Sequence, residues 1–414
     1  MRVVLIHRYF WPDTPTYAHI LKEIAVELAA AGHDVTVLTC QPSYNRAVVS
    51  SAPREEQLGP RLRVLRWPVV PDRRFGMLKA VNLVLFCARV MAAARWLGRV
   101  DVVMTASTPP IAVARAGSWL ARRTAALFVY HKQDIYPDVL LAPGIMREGL
   151  LSRLLRRIDS ATERRADRVV VLSSDMGEAI RLRGVDSAGI TVINNFDPWV
   201  LDDRQSAGGA EEEAPPHSTP QGPRTLDVAF AGNLGRFQNL ETVMEAASLL
   251  AADSSVIFHF FGDGALRAQL ERECAERGLT NVRFYGYRPP GDVATFLRTH
   301  AAVGIVSLLP GVIRAAYPSK TMSYLRQGCP VLVLVEPDSE LAHAILEAEA
   351  GFQADPTDPA SIAAIIRELA TRPADLVAAR RNARRLYDQE FDQAGQLARW
   401  RQLFEDLSTE PRTP

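Results

Sequence analysis

The chain has 414 residues, 48% of them hydrophobic, and a formal net charge of +1. That length suits two domains better than one and supplies apolar mass for two cores. The charge excludes a global field for nucleic acid, and Cys40, Cys87, Cys274 and Cys329 form no CxxC pair and no zinc spacing, so a reducing, cytoplasmic setting fits better than a disulfide framework.

Val3–Ile6 reads as a buried first strand, too short for a signal-peptide core. Ala18–Ala31 repeats apolar residues at helical spacing, and Gly32 is the expected stop. Val35–Thr39, Asp101–Thr105, Ala126–Tyr130 and Arg168–Leu172 follow as strands, each trailed by a helical stretch. Short apolar strands alternating with helices predict a parallel sheet covered on both faces. Phe75–Trp96 comes nearest to a membrane span, but Lys79, Asn82, Arg89 and Arg95 interrupt it. It is either a core helix with a basic edge or a helix resting on a bilayer.

Asp202–Arg224 carries Gly208-Gly209, Glu211–Glu213 and Pro215-Pro216 with almost no large apolar residue, the composition of a linker. Alternation then resumes. Asp227–Ala231, Val256–Phe261, Val282–Tyr285, Val303–Ser307 and Val331–Val335 read as strands; Leu240–Ala251, Leu266–Arg277 and Lys320–Gln327 read as helices. Leu376–Leu407 reads as charged helix, with Arg380, Arg381, Arg384 and Arg385 on a solvated face. The expected division is 1–200, a linker at 201–224, 225–385, and a helical segment at 386–414 that packs back on the first domain. Open parallel sheets bind ligands beyond the carboxyl ends of their strands, so a cleft between the two domains is the expected site.

Ala231-Gly232-Asn233-Leu234-Gly235-Arg236 follows a strand, so the backbone there can approach a ligand and Arg236 can pair with phosphate; a plain tight turn is the other reading. Phe261-Gly262-Asp263-Gly264 is a weaker signal of the same kind, and Tyr287 beyond Gly286 suits a base ring or a surface contact. In Tyr317-Pro318-Ser319-Lys320-Thr321-Met322-Ser323-Tyr324, Ser319 is an expected N-cap, and Lys320 in the first helical turn opposes the dipole unless an anion is bound. His131 ends a strand of the first domain, as a polar contact, a proton carrier or a structural residue, with Asp134 close by in sequence. Tyr9-Phe10-Trp11-Pro12 closes the first strand with aromatics expected to be exposed, and Tyr17 follows on the acceptor side.

Taken in order, Tyr9–Pro12, Gly32–Thr39, Gln41-Pro42-Ser43-Tyr44, Asp134–Asp138, Gly232–Gly235, Gly262–Gly264 and Tyr317–Lys320 resemble the retaining glycosyltransferases of family 4, in the branch that builds O-antigen, capsule and exopolysaccharide. The resemblance implies an α/β chain of GT-B fold, with two Rossmann-like domains facing across a cleft. It implies a nucleotide-sugar donor, usually UDP-linked, on the C-terminal domain. Gly232, Asn233, Arg236 and Lys320 then surround the diphosphate, with Gln238, Gly262, Asp263, Gly264, Pro318, Ser319, Thr321 and Ser323 in the same site. Tyr287 and Arg288 lie near the base, and His131 near the transferred sugar. The acceptor, whether glycan, lipid-linked or a small molecule, sits on the N-terminal domain beside Tyr9, Trp11 and Tyr17.

The sequence departs from that family at two places. A basic pair is replaced by Asn233 and Gln238, and a pair of glutamates by Ala315 and Ser323, which leaves Glu340 as a candidate donor contact. The expected catalyst set is His131, Asp134, Arg236 and Lys320, with no metal, no cofactor and no nucleic-acid partner, and with peripheral contact at the inner membrane surface as one option. Rival readings are a sugar-nucleotide 2-epimerase of the same fold and a catalytically degenerate binding protein.

Overall fold

The computed structural model describes residues 1–44, 51–70, 76–199 and 225–409. The expected linker at 201–224, with His217, and Phe75 lie outside the described residues. The chain divides into two compact units. The first comprises Met1–Pro198, Arg314–Tyr317 and Gln393–Pro414; the second comprises Trp199–Ile313 and Pro318–Asp392.

The first unit is built on β1 (Arg2–Ile6), β2 (Asp34–Cys40), β3 (Glu55–Gly59), β4 (Leu62–Trp67), β5 (Val102–Ala106), β6 (Leu127–His131), β7 (Arg168–Val171) and β8 (Ile190–Val192). Their order is β3-β4-β2-β1-β5-β6-β7-β8, parallel except where β3 runs against β4. Alternation along each strand sends side chains to two separate cores. Val3 and Leu5 pack with the helices Thr16–Ala30 and Gln393–Thr409, the latter through Trp400, Leu403, Phe404 and Leu407. Val4 and Ile6 pack with the helices Gly76–Ala92 and Ala112–Thr124 on the opposite face. Gly32 ends the first helix with φ +91°, a conformation that favours glycine. Sequence reasoning missed β3, β4 and β8. β3 is an edge strand whose Glu55 pairs with Arg63 across the hairpin, so it lacks an apolar run.

The second unit contains β9 (Leu226–Ala231), β10 (Val256–Phe261), β11 (Val282–Gly286), β12 (Val303–Ser307), β13 (Val331–Leu334) and β14 (Gly351–Gln353). All neighbours are parallel, in the order β11-β10-β9-β12-β13-β14. Chain direction across the sheet reverses between β9 and β12. The connections that leave those two strands therefore run in opposite directions, the switch point beyond whose carboxyl edge open α/β sheets bind ligands.

Two expectations change here. Leu376–Leu407 is not one helix: Pro373–Leu386 and Gln393–Thr409 are separate, with Asp392 extended between them at ψ 136°. Arg380 and Arg384 are not merely solvated. Arg380 donates at 2.7 Å to the carbonyl of Ala301, just beyond the helix Pro290–Thr299, and Arg384 at 2.8 Å to that of Arg326, the last residue of the helix Lys320–Arg326, whose carbonyl lacks an intrahelical partner. With Arg298, Arg326 and Arg381 they line a cavity of about 440 Å³.

Trp400 is 1% exposed, whereas Trp119 is 44% exposed. Trp400→Ala is expected to lower the unfolding free energy by about 3–5 kcal/mol. Trp119→Ala should leave it within about 0.5 kcal/mol. Urea unfolding of the two variants checks the contrast.

Candidate functional site

In the second unit the site grows from three turns at the carboxyl ends of β9, β10 and β11. Gly232 N–H donates to the Phe261 carbonyl at 2.9 Å, and Gly262 N–H to the Gly286 carbonyl at 2.7 Å. Gly262 has φ +125°, and a Cβ there would lie 1.9 Å from the Gly232 carbonyl oxygen. Only glycine allows that approach. Leu234 N–H donates to the Asp263 carbonyl at 2.9 Å, and Asn233 packs over Gly235 and Gly264. The glycines and Asn233 therefore belong to one interlocked turn cluster, with Arg236 exposed beside it.

Lys320 enters this cluster from the helix Lys320–Arg326. Its Cε lies 3.5 Å from where a Gly232 Cβ would stand, its Nζ donates to Gln238 Oε1, and the ammonium sits 3.7 Å from the centre of the Phe230 ring. Burial pushes Lys320 well below the usual lysine range. Among the described residues, no carboxylate pairs with it. An ammonium removed from water without a counter-ion is costly, and the ring and one amide offset only part of that.

Ser319 does not act as the expected N-cap. Its backbone already has helical dihedrals, φ −60° and ψ −21°, and its hydroxyl makes no capping bond. Pro318 is buried, Ser319 exposed and Ser323 half-buried. Among the described residues, the buried Thr321 hydroxyl finds no partner, nor does that of Ser307 at the end of β12. Tyr324 closes that segment in the sequence without an assigned role; its hydroxyl accepts from Ala231 N–H at 2.7 Å and so ties this helix to the end of β9. Its signal was indirect: a tyrosine on the buried side of a short helix needs a polar partner. Tyr287 and Arg288 project exposed beyond Gly286, while Glu340 lies in the first turn of a helix capped by the Ser339 hydroxyl.

In the first unit His131 ends β6 with both ring nitrogens engaged. Nδ1 lies 2.8 Å from the Tyr17 hydroxyl and Nε2 lies 2.8 Å from Gln133 Nε2. Asn195 Nδ2 donates to Gln133 Oε1 at 2.7 Å, so the glutamine amide faces His131 as a donor. That assigns the ring proton to Nδ1, which donates to Tyr17. Burial, then the nearby His7, pushes His131 down to about 3. The lowered value corresponds to a neutral ring at pH 7. Gln133 N–H and Asp134 N–H both donate to Ser107 Oγ, at 2.9 and 3.0 Å. Burial raises the Asp134 carboxyl to about 6, with Lys132 opposing.

The aromatics after β1 are less exposed than expected. Phe10 is core, Trp11 packs partly against that core, and the Tyr9 ring meets Tyr44 edge-on at 5.7 Å. The turn folds back because Arg66 donates to the Trp11 carbonyl at 2.8 Å.

Beneath His131 lies a charge cluster absent from the sequence expectation. Lys132, fully buried, donates to Asp159 at 2.6 Å and Glu163 at 2.8 Å. Arg183 reaches the same two carboxylates at 3.2 and 2.9 Å and pairs with Asp138. The network clamps the Leu150–Glu163 helix to the end of β6. A legible hint was Asp159 and Glu163 four apart on one helix face.

Gly262→Ala is expected to cost about 1–3 kcal/mol from left-handed backbone strain alone. It should also disrupt the turn cluster, read by thermal unfolding together with heteronuclear NMR of the Gly232 amide. For Asp134 the folded pKa of about 6 lies above the ordinary 3.8. The protonated form is favoured by folding, so its contribution is present at low pH and is lost as pH rises through about 6. Asp134→Asn should therefore be more stable than the parent at pH 7, by up to ~3 kcal/mol, and flatter between pH 4 and 6 in urea titrations.

Residues 17–195 match the Glycosyl transferase 4-like domain, and residues 213–386 match Glycosyl transferases group 1. The chain is 26% identical over 295 residues to the probable glycosyltransferase WbjE of Pseudomonas aeruginosa, covering 71% of each chain. It is 25% identical over 403 residues to the putative colanic acid biosynthesis glycosyl transferase WcaI of Escherichia coli K12, covering 94% of this chain and 97% of that one. Anabaena HepE, solved in complex with UDP-glucose, superposes with a TM-score of 0.68 at 15% identity, over 98% of this chain and 100% of that one. The two parallel-sheet units, their glycine turns and these matches lead to one conclusion: the chain belongs to the family 4 glycosyltransferases of GT-B fold, in a branch with WbjE and WcaI.

Proposed function

We propose that this glycosyltransferase moves a sugar, with retention, from a UDP-type sugar nucleotide to a glycan or lipid-linked acceptor. The observation that carries the donor assignment is the desolvated Lys320 ammonium, held beside Gly232 with no carboxylate partner among the described residues. A diphosphate supplies the missing counter-charge. Arg236, exposed at the same turn, supplies a second cation. The solved complex of HepE with UDP-glucose supports the choice of nucleotide.

On this reading Gly232, Asn233, Gly262, Asp263 and Gly264 let the phosphates approach the backbone, and Gln238 orients Lys320. Pro318, Ser319, Thr321 and Ser323 shape the same wall, Tyr287 and Arg288 meet the base, and Glu340 meets the sugar. The anomeric C–O bond to phosphate breaks as the acceptor oxygen bonds to that carbon on the same side. The acceptor proton passes to the departing phosphate. Lys320 and Arg236 stabilise the charge that grows on the leaving group, so the proposal needs no metal and no cofactor. His131 serves as a neutral polar contact for the sugar, and Asp134, Tyr9, Trp11 and Tyr17 border the acceptor side.

Titration calorimetry with UDP-sugars tests the donor site. Lys320→Met and Arg236→Ala should each weaken binding about 10- to 100-fold, the ~1.5–3 kcal/mol of a charge-assisted hydrogen bond. Lys320→Met should fold at least as stably as the parent, because it removes a desolvated charge. Unchanged affinity in both variants rejects the diphosphate assignment. Product anomeric configuration by NMR tests retention, and an inverted product rejects it.

A further inference from the structure

We infer that the second unit carries an anion site at the amino edge of its sheet, built for a small phosphorylated molecule of the diphosphate class. The site is the cavity of about 440 Å³ where five arginines meet Gln327 and Gly328. Among the described residues that line it, none is acidic. Arg298 lies in the last turn of the helix Pro290–Thr299, before β12, and Gln327 and Gly328 lie just before β13. The cavity therefore sits at the amino ends of these strands. The glycine turns at 232 and 262 follow the carboxyl ends of β9 and β10. In a parallel sheet these are opposite edges, so the cavity is distinct from the proposed donor site. The helix Lys320–Arg326 starts beside the glycine turns and ends at the cavity.

The donors around the cavity fall into two groups. Three guanidiniums are held by backbone carbonyls. Arg380 donates to the carbonyls of Leu297, Arg298 and Ala301, Arg384 to that of Arg326, and Arg326 to that of Trp199. Arg384 also pairs with Asp388 at 2.9 Å. The carbonyls that Arg380 and Arg384 meet stand at two helix ends, whose partial negative charge offsets those cations. The second group has no such partners. Among the described residues, the guanidiniums of Arg298 and Arg381 make no ion pair and no hydrogen bond. Neither does the side-chain amide of Gln327 make a hydrogen bond there, although Gln327 is only 9% exposed. An amide withdrawn from water without a partner is unfavourable, so this one is directed at something the cavity receives. A molecule that satisfies the set brings negative charge and several acceptor oxygens. Two unpaired guanidiniums match a phosphate dianion, whose oxygens suit the planar fork of arginine. The carbonyl-held arginines are already ordered, which lowers the entropy lost on binding. The volume lies within the range of small-molecule sites, roughly 300–1,000 Å³.

Titration calorimetry of the full chain with inorganic pyrophosphate, without divalent cations, tests the site. Pyrophosphate should bind about ten-fold more tightly than sulfate, because it carries more charge and more acceptors. Arg298→Ala/Arg381→Ala and Gln327→Leu should each weaken it about ten-fold, with thermal unfolding unchanged. Arg298→Lys/Arg381→Lys should lose less, since the charge remains. Lys320→Met should leave this binding in place. A parent that binds no pyrophosphate, variants that bind it like the parent, or sulfate held as tightly overturns the inference. So does loss of binding in Lys320→Met alone, which puts the ion at the glycine turns instead. A parent that binds pyrophosphate through Arg298 and Arg381 but binds no UDP-sugar rejects the donor reading and leaves this site standing.

Discussion

The second unit depends on one steric constraint: the Gly232 carbonyl oxygen occupies the space where residue 262 would carry a Cβ. This contact lets the turns after β9 and β10 exchange backbone bonds beyond the end of the sheet. The turn after β9 is thereby fixed beside the start of the Lys320–Arg326 helix, and Tyr324 fastens that helix to Ala231. Rigidity here comes from backbone, not from long side chains. For the donor site proposed above, such pre-organisation leaves little ordering to be done on binding.

Two lysines show how the same residue serves opposite ends. Lys132 is fully buried and Lys320 half-buried. Lys132 has two carboxylates within 2.8 Å, and Arg183 shares them, so its charge is compensated and its task is to clamp a helix. Lys320 has a neutral amide and an aromatic ring. Breaking a compensated buried pair costs several kcal/mol, about 3–5. Removing an uncompensated charge need not destabilise at all. The difference sets the clamp at Lys132 apart from the proposed donor contact at Lys320.

The first unit shows a similar economy around His131. Tyr17 and Gln133 engage both ring nitrogens, and Asn195 sets the orientation of Gln133. The ring is therefore locked in one tautomer and kept neutral. The titratable group nearest neutrality is Asp134, whose backbone is pinned by Ser107 while its carboxyl stays partly desolvated. The sequence alone left His131 as a polar contact, a proton carrier or a structural residue, with Asp134 beside it as an acceptor or base.

Alternation of Val, Leu and Ile runs with helical spacing was enough to predict two parallel-sheet units, since strands buried on both faces leave a local pattern. The glycine turns at 232, 262 and 264 and the Pro318–Lys320 segment were legible for the same reason: they follow strand ends directly. β3 and β4 were not, because an edge hairpin alternates charge with apolar residues and mimics a loop. Nor were the Lys132–Asp159 pair, the Tyr324 tie or the Tyr17 contact of His131, because these join residues 27, 93 and 114 positions apart. The Phe75–Trp96 ambiguity shows the division sharply. Sequence determined that this helix is apolar and basic. Only the packing of its neighbours decided which side chains face the core, since solvent exposure belongs to the fold and not to the residue.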